Sequence, residues 1–113
     1  MSAITTHVLD TSQGQPAAGV PVTLSIETPA GWQLVSKGTT NADGRIADLV
    51  PKDFDFVTGV YRLTFNTGKY FAAKRIQSFY PKVSIVFQIE DASQHYHVPL
   101  LLSPFSYSTY RGS

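Results

Sequence analysis

Three stretches of this chain alternate apolar and polar residues with a period of two, and that alternation restricts the fold more than any other feature. Val20, Val22, Leu24 and Ile26 alternate with Pro21, Thr23, Ser25 and Glu27. Tyr61, Leu63 and Phe65 repeat the pattern in VYRLTF, and Val83, Ile85, Phe87 and Ile89 repeat it over residues 82–89. Side chains two apart on an extended strand point to the same face, so each stretch predicts a strand with one buried face. Strands of that kind are stable only when one buried face covers another.

Other segments read as strands by residue type. ITTHVL (4–9) is β-rich, with His7 and Leu9 on one face and Val8 on the other. Residues 32–38, 95–102 and 107–110 add further strands. Pro21 marks either an edge or the entry of its strand. Eight Gly and seven Pro, scattered singly, suit the many turns such a chain needs. Residues 10–19 read as a loop, and Asn41-Ala42-Asp43-Gly44 as a tight turn with Arg45 at its exit. Phe54 and Phe56 would anchor the loop that follows. Asn66-Thr67 can cap a short helix over 68–76, which residues 78–81 close. At 113 residues, 1–113 forms a single domain. Seven or eight strands with one short helix indicate an all-β fold, an antiparallel β-sandwich with Greek-key connections.

The formal charge of +1, without basic runs, argues against nucleic acid and anionic membrane as partners. There is no cysteine, so disulfides and thiolate metal sites are excluded. The start, MSAITTHVLD, lacks the charged and apolar regions of a secretory signal, and no apolar run reaches membrane-spanning length. A cytoplasmic protein is expected, or a periplasmic one if a leader has been removed.

Three histidines are the side chains that titrate near neutral pH without special surroundings. Any one of them in a strand is more often a surface or structural residue than a functional one. His7 and His97 gain interest because they fall on strands of one prospective sheet, with Arg45 at a turn. Arg45 alone reads as a solvated turn residue; functionally it offers a planar fork for anionic or oxygen-rich substrates. In His95-Tyr96-His97 the two imidazoles share a face, and with His7 they could imitate a three-histidine zinc site. An HxH pair is a weak signal, and no carboxylate stands out to support it. No GxSxG nucleophile elbow occurs.

Three motifs together carry a family resemblance: Thr6-His7-Val8-Leu9-Asp10, Thr40-Asn41-Ala42-Asp43-Gly44-Arg45, and HYHVPLLLSPFSYSTYRGS at 95–113. The chain resembles the 5-hydroxyisourate hydrolases, the transthyretin-related enzymes of urate breakdown, over essentially its whole length. The final YRGS is the most discriminating part, because the hormone carrier transthyretin does not end that way. The resemblance implies a transthyretin-like sandwich assembled as a homotetramer, a dimer of dimers with each site at a subunit interface. It implies hydrolytic opening of 5-hydroxyisourate to 2-oxo-4-hydroxy-4-carboxy-5-ureidoimidazoline, with no cofactor and no metal. Carried over by position, the catalytic residues are His7, Arg45, His97 and Ser113. His7, Arg45, Tyr110, Arg111 and Gly112 are the expected substrate contacts, and His95 lies outside the set. The rival expectation is a non-catalytic carrier on the same sandwich, which fold alone does not distinguish.

Overall fold

The computed structural model describes residues 3–113 and contains two four-stranded sheets packed face to face. In chain order the strands are β1 (Ile4–Asp10), β2 (Gln15–Pro16), β3 (Pro21–Thr28), β4 (Gly31–Thr39) and β5 (Gly59–Phe65). The helix α1 (Thr67–Ala73) follows, then β6 (Val83–Ile89), β7 (Tyr96–Leu102) and β8 (Tyr107–Thr109). One sheet has the order β2-β1-β7-β8 and the other β4-β3-β5-β6. The step from β4 to β5 passes across β3, and the step from β6 to β7 changes sheet, as Greek-key connections do.

The alternating stretches face the core as their periodicity requires. Val22 and Leu24 of β3, Tyr61, Leu63 and Phe65 of β5, and Val83 and Ile89 of β6 are buried. Opposite them lie Ile4 and Val8 of β1 and Tyr96, Val98, Leu100 and Leu102 of β7. Phe54 and Phe56 pack on the same core from the long loop. Pro21 opens a central strand, so it marks an entry and not an edge: β3 is paired on both sides, and Pro begins it. Asn66 caps α1, its side chain accepting from the Lys69 amide at 3.2 Å. Among the described residues no helix is long and apolar enough to cross a membrane.

Three details differ from the sequence expectation, the first being that α1 ends at Ala73, short of residues 74–76 expected in it. The sandwich is not antiparallel throughout, because β1 and β7 run parallel over their full length. Only strands joined by a short hairpin are forced to be antiparallel, and these two lie at opposite ends of the chain. Within the expected loop 10–19, Gln15 and Pro16 pair with β1 as the short edge strand β2.

Asp10 ends β1 inside the protein, with no exposed surface. Its Oδ1 accepts from the amide and hydroxyl of Ser12, and Tyr70 of α1 donates its hydroxyl to Oδ2 at 2.7 Å. Burial pushes the Asp10 carboxyl up, but these hydrogen bonds outweigh it and hold the group below its ordinary 3.8. A depressed folded value contributes stability above the unfolded value and loses it as pH falls through the folded one. Tyr70→Phe should therefore lower stability at pH 7 by about 1.5–3 kcal/mol, the usual worth of a hydrogen bond to a charged group. In urea unfolding the deficit should shrink at acid pH, where Asp10 is protonated in both proteins. An equal deficit at every pH would show that the carboxylate is not what Tyr70 stabilises.

Candidate active site

Two neighbouring rungs on the outer face of the β2-β1-β7-β8 sheet gather the candidate residues. In the parallel β1–β7 pairing, Thr5 lies opposite His97 and His7 opposite Pro99. Arg45 forms a bridge to His7, and Gly112 one to His97. One rung thus reads Arg45, His7, Pro99, and the next Thr5, His97, Gly112. The inward residues Thr6, Val8 and Val98 are buried, so Thr5, His7 and His97 point outward.

Arg45 is held by its turn. Asn41 accepts through Oδ1 from the amides of Asp43 and Arg45 at 2.9 and 3.0 Å, while Gly44 closes the turn onto the Asn41 carbonyl. Gly44 adopts φ +76°, in the left-handed region, and its carbonyl accepts from the Val8 amide at 2.8 Å. A Cβ there would stand 2.4 Å from the Val8 carbonyl, so only glycine lets the turn dock on β1. That docking sets Arg45 beside His7.

The last residues continue β8 along β7. Leu100 pairs with Thr109, and Gly112 meets His97 in the same register, its amide donating to the His97 carbonyl at 2.9 Å. Directly opposed residues of an antiparallel pair project to one face, so the imidazole lies over Gly112. A Cβ on Gly112 would come within 2.5 Å of His97 Cδ2. Glycine at this position is what leaves room for the ring.

A cavity of about 490 Å³ opens on this face, lined by Thr5, Asn41, Arg45, His95, His97 and Ser113 among others. His97 also lines a smaller cavity of about 250 Å³, together with Tyr110 and Arg111. The structure thus brings Arg45, His97 and Ser113 to one cavity, and places Tyr110 and Arg111 at another. Arg111 donates to Gln94 Oε1 at 3.1 Å and lies over the Tyr96 ring. His7 is outside the residues lining either cavity, but close enough for its charge to be felt at His97. A further cavity of about 490 Å³, on the β4-β3-β5-β6 sheet, holds Lys37 and Lys82 and no histidine.

Burial is the main cause holding the His97 imidazole below its ordinary 6.5, followed by the positive charge of Arg45 and then by His95 and His7. The Thr5 main chain offsets this in part. These causes favour the neutral imidazole, the form able to take a proton. Its Nδ1 lies 2.8 Å from Thr5 Oγ1, and His95 Nε2 lies 2.9 Å from the same oxygen. The two imidazoles of the HxH pair thus converge on a hydroxyl. Among the described residues no three His, Cys, Asp or Glu side chains are grouped to hold a metal ion.

Sequence reasoning passed over Thr5 and Asn41. The signal for Thr5 was present, since it stands two before His7 on an alternating strand and so shares its face. A site histidine whose neutral form is favoured, an arginine set by its turn at the same cavity and a tail threaded against the ring suit proton transfer to or from a small polar ligand.

The family model for the HIUase/transthyretin family matches residues 4–112. The chain belongs to that family. It is 49% identical over 112 residues to a probable 5-hydroxyisourate hydrolase of Caenorhabditis elegans, covering 99% of this chain and 82% of the relative. The 5-hydroxyisourate hydrolase of Klebsiella pneumoniae superposes with a TM-score of 0.84 at 40% identity, over 97% of this chain and 92% of that one. Sea bream transthyretin in complex with thyroxine superposes with a TM-score of 0.91 at 34% identity, over 97% and 94%. Within the HIUase/transthyretin family, therefore, this sandwich accompanies both a hydrolase and a hormone-binding protein, and the site must separate them.

Proposed function

We infer that this chain is a 5-hydroxyisourate hydrolase, opening the ring of that compound by attack of water. The observation that carries the reading is the meeting of Arg45, His97 and Ser113 at one cavity, with His7 set beside Arg45. Hydrolysis of a cyclic amide requires a base for the water, a donor for the oxyanion that forms, and a proton for the leaving nitrogen. His97, kept neutral by burial and by Arg45, takes the proton from water, and His7 is its partner in returning one to the nitrogen. Arg45 presents a rigid fork of donors to the carbonyl oxygen as its charge develops. Ser113 orients the water or His97. Tyr110 and Arg111, expected as substrate contacts, line the smaller cavity instead and take no part at this one, while Gly112 makes room for the His97 ring.

The alternative is a carrier, since sea bream transthyretin binds thyroxine on this fold. A carrier's site has no need of an imidazole held neutral beside a guanidinium, and that pairing favours the enzyme. The outward-facing histidines also fit a homotetramer, a dimer of dimers in which a second subunit covers each site, and we include that assembly in the proposal.

The test is a spectrophotometric assay with freshly generated 5-hydroxyisourate, scored against its spontaneous decay. Acceleration by the protein is the expected result, and decay at the spontaneous rate would overturn the reading. In the same assay Arg45→Lys should lose about 10²-fold in kcat, the range for removing one oxyanion donor. Lysine keeps the charge and loses the fork, so a near-normal rate would show that charge alone suffices.

A further inference from the structure

The HxH pair and Thr5 form an arrangement that the catalytic assignment leaves unused. Thr5 Oγ1 stands between His97 Nδ1 at 2.8 Å and His95 Nε2 at 2.9 Å. A hydroxyl carries one proton and two lone pairs, so it accepts from one ring while donating to the other. We propose that Thr5 is a positioning residue that holds His97 in the tautomer with Nδ1 protonated, and that His95 fixes Thr5 by accepting its hydroxyl proton. The proposal rests on His97 being the base of the reaction inferred above.

The direction of the two hydrogen bonds follows from the role inferred for His97. Thr5 occupies Nδ1, so Nε2 is the nitrogen left to take a proton from water, and that role requires Nδ1 to carry the ring's own proton. With Nδ1–H donated to Oγ1, the hydroxyl proton is left for His95 Nε2. His97 Nε2 then carries a lone pair and is the nitrogen available to water. In the opposite tautomer Nε2 would bear a proton and could not act as a base. The ring is thus held on two sides, by Thr5 at Nδ1 and by Gly112 under Cδ2.

The logic is that of a base whose second nitrogen is oriented by a third group, with a neutral hydroxyl in the place a carboxylate often takes. A carboxylate beside Nδ1 would raise the imidazole's proton affinity strongly. The hydroxyl orients the ring without doing so, and His97 remains neutral among the other groups that face it: Arg45, His7 and His95.

Thr5→Val keeps the β-branched shape of a strand residue and removes only the hydroxyl. In the intact protein it should lower kcat by about 10- to 100-fold with KM little changed, the range seen when the outer hydrogen-bond partner of a ligating histidine is lost. Thr5→Ser should restore most of the rate. His95→Ala should lower kcat in the wild-type background and have no further effect in Thr5→Val, because His95 acts only through Thr5. Independently of any substrate, ¹⁵N NMR of the imidazoles should show His97 protonated at Nδ1 in the wild type and shifted toward Nε2–H in Thr5→Val. An unchanged His97 tautomer with wild-type kcat, failure of serine to rescue, or additive effects of the two substitutions would overturn the proposal. Absence of hydrolysis by the wild type would instead overturn the functional reading, and the NMR result would still decide the hydrogen bond.

Discussion

His97→Ala should reduce turnover of 5-hydroxyisourate by about 10²- to 10⁴-fold, the usual contribution of a positioned acid or base. The substitution removes a half-buried ring from the outer face and leaves the core of the sandwich intact, so the variant should remain folded. The pH profile gives a second check with a definite sign. A general base works when deprotonated, and burial together with Arg45 keeps His97 below its ordinary 6.5. The acid limb of kcat/KM should therefore lie below pH 6.5, with activity retained as pH falls to that point and lost further down. Replacing Arg45 by Gln removes a positive charge from the imidazole and should move the limb upward. Near-normal turnover of His97→Ala, or a limb that ignores Arg45, would sink the assignment of His97 as base.

Gly112→Ala is expected to have the second largest effect, although it adds a single methyl group. The new Cβ would lie 2.5 Å from His97 Cδ2 and 3.2 Å from Pro99 Cγ, well inside van der Waals contact. Either the ring tilts away from Thr5 or the tail leaves β7, breaking the hydrogen bond from the Gly112 amide to the His97 carbonyl. A misplacement of about 1 Å in a catalytic group can cost about 10²-fold, and a loss of that order in kcat is expected. Thermal stability should change little, because the bridge lies on the outer face, away from the core. Wild-type kinetics in Gly112→Ala would show that the ring moves aside freely and that the glycine serves some other purpose.

The sandwich was legible because period-two alternation is local information. Val83 to Ile89 and Tyr61 to Phe65 face the core wherever their strands are placed, since the pleat allows nothing else. The tight turn before Arg45 and the cap at Asn66 were legible for the same reason, as each is made by residues a few positions apart. The parallel pairing of β1 with β7 was not, because no property of either segment specifies the direction of a partner some ninety residues away. His7 and His97 could be assigned to one sheet, but their position on adjacent rungs follows from a register that composition does not encode. Thr5 was missed for that reason: a threonine in a strand is ordinary until an imidazole is set opposite it.

The motifs named Arg45, His97, Gly112 and Ser113 through a resemblance to known hydrolases, and membership of the HIUase/transthyretin family stands on the full-length match. Sequence by itself thus determined the longer strands, their buried faces and the motif residues of the site, since hydrophobic period, turn chemistry and motif are written in neighbouring positions. Only the tertiary structure decided that Arg45, His97 and Ser113 share a cavity while Tyr110 and Arg111 line another, and that Gly112 makes room for a ring. It alone ties both histidines of the HxH pair to one hydroxyl. Those are distances between segments far apart in the chain, and pairing register and packing set them.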